Sequence, residues 1–125
     1  DSLFGDQLGG DFEERAKRVM ERAKEASVTI LLKGQVDVVS DGEKVGFNRT
    51  GCSAMTVGGT GDVLSGLVAG LMARGMTPFD ASCCGAFING LAGEHAAQKL
   101  GMHIVATDVI EHLPFVLKDF DRETV

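Results

Sequence analysis

A chain of 125 residues, 44% hydrophobic and 24% charged, has the composition of one soluble globular domain at most and not of a disordered segment. Its net charge of −6, with basic residues scattered among acids, argues against the basic patch that a nucleic-acid surface requires. The longest apolar segment, Val63 to Ala73, is too short to cross a bilayer, and the start shows no signal-peptide pattern. Three cysteines, two of them adjacent (Cys83 and Cys84), make a poor disulfide framework, and no spacing suits zinc. Buried free thiols in a reducing cytoplasm are expected.

Residues 1 to 10 read as an irregular lead-in carrying Leu3, Phe4 and Leu8. Asp11, with Glu14 three positions on, is a plausible N-cap for a helix from about 12 to 26. Phe12, Ala16, Val19, Met20 and Ala23 form its apolar face, and Glu13 to Arg18 a solvated face with i,i+4 pairs. Val28 to Lys33 is a nearly continuous apolar run, the pattern of a buried parallel strand. Val36 to Ser40 follows as a second strand, Asp41-Gly42 as a hairpin turn, and Lys44 to Asn48 as the return. Lys33, at the carboxyl end of its strand before Gly34, is read two ways: facing a phosphate, or as an exposed strand end.

Asn48 to Gly61 is a polar, glycine-rich loop leading into the stretch Met55 to Gly66. Gly58, Gly59 and Gly61 leave the backbone nearly bare, Asp62 follows at once, and an apolar helical pattern begins. A glycine loop entering a helix makes an anion site, because uncapped N–H groups point outward and the helix dipole favours negative charge. Asp62 is then either the N-cap or a base beside a bound phosphate. The loop is neither a Walker loop nor a GxGxxG fingerprint. Cys52 as a nucleophile lacks a partner at signature spacing.

The helix from Asp62 to about Arg74 has Val63, Leu64, Leu67, Val68, Leu71 and Met72 on its apolar face, Gly66 and Gly70 as packing glycines, and Gly75 as its terminator. Thr77 caps the next helix, about 78 to 99, with Pro78 in the first position and a run of small residues for close packing. Its polar residues include Asn89 and His95, the latter read as a surface or satisfied histidine. Thr107 is expected to cap a last helix, about 108 to 120, that Pro114 kinks or interrupts, before a frayed tail from Asp119.

Thr56 to Gly66 resembles the GGTGDVLAG signature of the ADP-dependent NAD(P)H-hydrate dehydratases, a branch of the ribokinase-like superfamily. Ile30 to Val39, Asn48-Arg49-Thr50-Gly51 and Gly90 to Ala97 resemble the same family in order and spacing, so that about residues 28 to 113 are covered. Cys52-Ser53-Ala54 departs from the Asn-Pro-Gly that most members carry before the glycine run. The resemblance implies an α/β fold, the C-terminal half of a ribokinase-like three-layer α/β/α sandwich. Residues 1–125 would then be a partial dehydratase domain, without the earlier strands and their histidine-containing substrate motif.

The implied activity is that of a lyase in metabolite repair: hydrated NADH or NADPH loses water, driven by ADP with Mg²⁺, giving NAD(P)H, AMP and phosphate. By the same resemblance Asp62 is the catalytic base and contacts the substrate. Lys33, Gly34, Gln35, Val36 and Asp37 line the adenine nucleotide site, Gly58, Gly59, Thr60 and Gly61 face its phosphates, and no side chain is assigned as a metal ligand. The implied partners are NAD(P)H hydrate and ADP, with neither nucleic acid nor membrane, in a cytoplasmic homo-oligomer. A vitamin-precursor or sugar kinase would use the same glycine–aspartate site, and a fragment lacking the substrate-side strands would bind nucleotide weakly without turnover.

Overall fold

The computed structural model describes residues 12–55 and 58–118. In chain order these form α1 (Phe12–Ala26), β1 (Ile30–Leu32), β2 (Asp37–Ser40), β3 (Val45–Asn48), a 3-10 turn (Ser53–Met55), α2 (Thr60–Ala73), α3 (Pro78–Leu100) and α4 (Ala106–Leu117). The expected Asp11 cap, the lead-in and the charged tail lie outside the described residues.

The three strands make an antiparallel meander in the order β1-β2-β3, with Leu31 opposite Val39 and Val38 opposite Phe47. The parallel reading of Val28 to Lys33 is therefore corrected. Only Lys33 to Val36 separates β1 from β2, and parallel neighbours need a crossover of a dozen residues or more. β1 is also half-buried rather than buried.

Every residue of β2 is buried because both its faces are covered. Val38 packs with Ala16 and Val19 of α1, where the rings of Phe12 and Phe47 also meet, tilted at 47°, with centroids 4.8 Å apart. On the other face α3 lies close: Cys83 and Phe79 meet Gly46, the ladder partner of Val39. Helix, sheet and helix thus form three layers.

The β2–β3 turn closes on Asp41, whose Oδ1 accepts from the N–H groups of Glu43 at 2.9 Å and Lys44 at 2.8 Å. Those two bonds hold its carboxyl below the usual carboxylate range. Gly42 has φ +99° and lies against the backbone of Lys24, where a Cβ would come within 2.9 Å of Cα. Only glycine suits both conditions.

A second core gathers Ala54, Ile88, Ala92, Ala96, Ile104, Val109 and Val116, where α2 and α4 pack against α3. The small residues of α3 permit this approach: a Cβ at Gly85 would meet Val68, at Gly90 Thr50, and at Gly93 Met55. Gly66 and Gly70, expected to be packing glycines, instead face open space. Gly75 ends α2 as expected, with Gly75 N–H on Met72 O and Met76 N–H on Leu71 O. Thr77 caps α3 by accepting from Asp80 N–H at 3.1 Å.

Three other expectations are corrected. The cap of α4 is Val105, whose N–H donates to Asp108 Oδ2 at 2.8 Å, so Thr107 sits inside the first turn. Pro114 does not interrupt α4, which continues to Leu117. The three cysteines are free but half-buried. No described helix is long and apolar enough to cross a membrane.

Candidate functional site

The Lys33–Asp37 segment is a tight connection held from both sides. Asp37 accepts from Gly34 N–H at 3.1 Å through Oδ1, and from Asn48 Nδ2 at 2.9 Å through Oδ2. Lys33 Nζ stands 3.6 Å from Oδ2, its side chain 54% exposed while that of Asp37 is 3% exposed. A buried carboxylate is tolerated only when paired and bonded, and this one is. From the other side Arg15 of α1 donates to Val36 O at 2.9 Å and to Lys33 O at 3.3 Å, its guanidinium lying against Gly34. Arg15, counted in the sequence among a solvated face, is in fact half-buried and functions as a clamp.

Asn48 carries this network to the next loop. Its Nδ2 also donates to Ala86 O of α3 at 3.2 Å, and its Oδ1 accepts from Thr50 Oγ1 at 3.0 Å. Between the two loops lies a cavity of about 730 Å³, with Lys33, Gly34, Gln35 and Asp37 on one wall, Thr50 to Ser53 on the other, and Met55 and Gly90 among its lining. That volume falls in the range of small-molecule sites. The expected nucleotide-lining residues Lys33, Gly34, Gln35 and Asp37 therefore share one cavity, but Asp37 presents a carboxylate already committed to protein partners. Val36 contributes a carbonyl that Arg15 occupies.

A second groove of about 540 Å³ runs between β1 and α2, where Lys33 and Gly61 stand together with Leu31, Ser65 and Met72. Lys33 thus reaches both spaces. At the start of α2, Gly59 is the N-cap with φ +96°, so the cap residue itself brings no side chain to the first N–H groups. Gly59 packs against Ala106 at the start of α4. Thr60 Oγ1 donates to Met55 O at 2.9 Å, tying the turn to the 3-10 segment. A Cβ at Gly58 or Gly61 would meet no described atom within 4 Å, so among the described residues the backbone is bare to an approaching anion. Asp62 is not the N-cap: it lies exposed in the first turn, its N–H on Gly59 O at 3.1 Å. Its carboxylate is exposed in the first turn, near the positive end of the helix dipole.

Cys52, whose Sγ lies 4.0 Å from Gly93 O, lines the larger cavity without a histidine partner on its loop. Burial and the charge of Asp80 push the Cys83 thiol up. His95, half-buried, stacks on Phe115 at 5.3 Å, and its buried Nδ1 has no hydrogen-bond partner among the described residues. Sequence reasoning missed Arg15, Asn48 and Glu94 as architects of the site. Of these, Asn48 and Glu94 stood within stretches that carried the resemblance, while Arg15 had no signal apart from its helix.

Solved structures place this arrangement in the ribokinase-like α/β class. A Bacillus subtilis ADP/ATP-dependent NAD(P)H-hydrate dehydratase, co-crystallised with ATP/Mg²⁺ and soaked with CoA, superposes with a TM-score of 0.80 at 29% identity, over 87% of this chain and 41% of that one. A hydroxyethylthiazole kinase protein of Pyrococcus horikoshii superposes with a TM-score of 0.72 at 26% identity, over 85% of this chain and 44% of that one.

The sequence narrows the class further. The family model described as NAD(P)H-hydrate dehydratase matches residues 2–115. An ADP-dependent (S)-NAD(P)H-hydrate dehydratase of Cenarchaeum symbiosum is 52% identical over 120 residues, 96% of this chain and 42% of that protein. This chain belongs to the NAD(P)H-hydrate dehydratase family, and it spans less than half the length of these relatives.

Proposed function

We propose that the protein carrying this chain dehydrates hydrated NADH or NADPH at the expense of ADP. The observation that carries the reading is the bare turn Gly58–Gly61, opening α2 with an uncommitted Asp62 behind it and Lys33 across the groove. Gly59, Thr60 and Gly61 present the start of the helix to the transferring phosphoryl group, which needs positioning and charge stabilisation above all. Lys33, and the backbone of Gly34 and Gln35, face the nucleotide from the opposite wall.

Asp62 takes the proton of the hydrate hydroxyl as its oxygen attacks the β-phosphoryl group of ADP, and AMP leaves. The C–O bond to the new phosphate ester then breaks, phosphate departs with the bonding pair, and loss of a ring proton restores the dihydronicotinamide. Asp37 holds its loop and does not touch the ligand. Among the described residues no cluster of three or more His, Cys, Asp or Glu side chains forms a metal cage. A Mg²⁺ carried by the nucleotide phosphates and water would neutralise phosphate charge there, and no side chain is assigned to hold it. The setting we infer is cytoplasmic and homo-oligomeric, without nucleic acid or membrane.

The likeness to a hydroxyethylthiazole kinase protein supports a second reading, phosphorylation of a small alcohol at the same turn. Product analysis separates the two. The dehydratase consumes ADP and yields a reduced nicotinamide with inorganic phosphate, whereas the kinase leaves a stable phosphate ester. Equilibrium binding of ADP to the 125-residue chain tests the third possibility, a nucleotide-binding piece without turnover: measurable affinity with no turnover would favour it.

A further inference from the structure

Glu94 lies on α3 one turn beyond Gly90, which lines the larger cavity. Its Oε2 accepts from Gly51 N–H at 2.7 Å, a contact between residues 43 apart in sequence. Gly51 has φ +113°, so its N–H is presented by a backbone conformation that other residues adopt only under strain. The wall it belongs to, Thr50 to Ser53, also meets α3 through Thr50 Oγ1, on Phe87 O at 3.1 Å and Ala86 O at 3.5 Å, and through Cys52 Sγ, 4.0 Å from Gly93 O. The opposite wall is held by the same device, Asp37 accepting from Gly34 N–H. Glu94 is exposed and belongs to neither apolar core, so packing gives no reason for its carboxylate. A short bond from a backbone N–H to an ionised acceptor is among the stronger kinds.

We infer that Glu94 is a positioning residue that pins the Gly51 wall of the cavity to α3 and sets the width between the two loops. The consequence for nucleotide affinity rests on the function proposed above, whereas the pinning itself does not.

Cys52 reports the position of this wall, since it follows Gly51 and is half-buried against Gly93 O. The test is site-resolved iodoacetamide labelling of the full-length protein, read by mass spectrometry, in the parent, Glu94→Ala and Glu94→Gln. The amide oxygen of Gln still accepts from Gly51 N–H. Cys52 should therefore label about tenfold faster in Glu94→Ala, the scale of one lost bond to a charged acceptor, and at a rate nearer the parent's in Glu94→Gln, which keeps a neutral bond. Cys83 and Cys84 should keep their rates. Equal Cys52 rates in all three proteins would overturn the inference, as would Glu94→Gln labelling as fast as Glu94→Ala. Simultaneous opening of all three thiols in Glu94→Ala would also overturn it, by assigning Glu94 to the fold. ADP should slow Cys52 labelling in the parent. A Glu94-dependent rate without ADP protection would uphold the pinning and contradict the nucleotide reading alone.

Discussion

Asp37 and Asp62 are both aspartates of motif stretches, and their surroundings divide their roles. Asp37 is 2% exposed and bonded on both oxygens, while Asp62 is exposed and does not cap its helix. Replacing Asp37 by Ala leaves Gly34 N–H and Asn48 Nδ2 without their acceptor and Lys33 without its counter-ion. An unsatisfied buried donor costs about 1–3 kcal/mol, so Asp37→Ala should lower the unfolding free energy by at least that amount in denaturant titration. Asp62→Asn should leave stability within about 0.5 kcal/mol, as exposed substitutions usually do. The sequence could place both residues at loop ends, but not tell a carboxylate turned into the protein from one turned out. That distinction depends on Asn48 and Ala86, 11 and 49 positions from Asp37.

At the scale of elements, the periodicity of the chain located each α-helix and strand of the described residues within about three residues but read the 3-10 turn Ser53–Met55 as loop, and its errors have definite causes. An apolar run reports burial on two faces, but strand direction is set by the connection, and four residues permit only a hairpin between β1 and β2. Helix starts slipped where backbone conformation and Asp108 determined the cap rather than a cap-type residue, at Gly59 and Val105. The β2–β3 turn yields a pH prediction. The carboxyl of Asp41 is held below its ordinary value of 3.8, so its contribution to stability is present above that value and is lost as pH falls through its lower folded value. Asp41→Asn, whose amide oxygen accepts the same two N–H groups, should lose less stability than the parent when thermal melting is followed below about pH 4. The α3 packing yields a second. Gly90→Ala would place a methyl group against Thr50 Oγ1 and the Thr50 backbone, and overpacking of this kind costs about 1–3 kcal/mol. Thermal melting should show that loss, with the Gly51 wall displaced.

Across the whole molecule, two cores meet at one polar seam. The α1–sheet core and the α2–α3–α4 core are joined through Asp37, Asn48 and Ala86 O, and the larger cavity opens beside that seam. The α/β class and the glycine turn were legible because local pattern determines them. The seam was not, because it depends on which loops tertiary packing brings together. The groove between β1 and α2 and the bare glycine face of α2 belong to the same scale, and the chain spans less than half the length of the relatives it matches. Asp62, at the bare turn of α2, is the proposed base of an ADP-driven dehydration. The direct measurement is recovery of reduced-nicotinamide absorbance from hydrated NADH with ADP and Mg²⁺, comparing the full-length protein with its Asp62→Asn variant at equal ADP occupancy. ADP-dependent recovery is expected, falling by about 10²–10⁴-fold in Asp62→Asn while ADP still binds. Undiminished recovery in Asp62→Asn would contradict it.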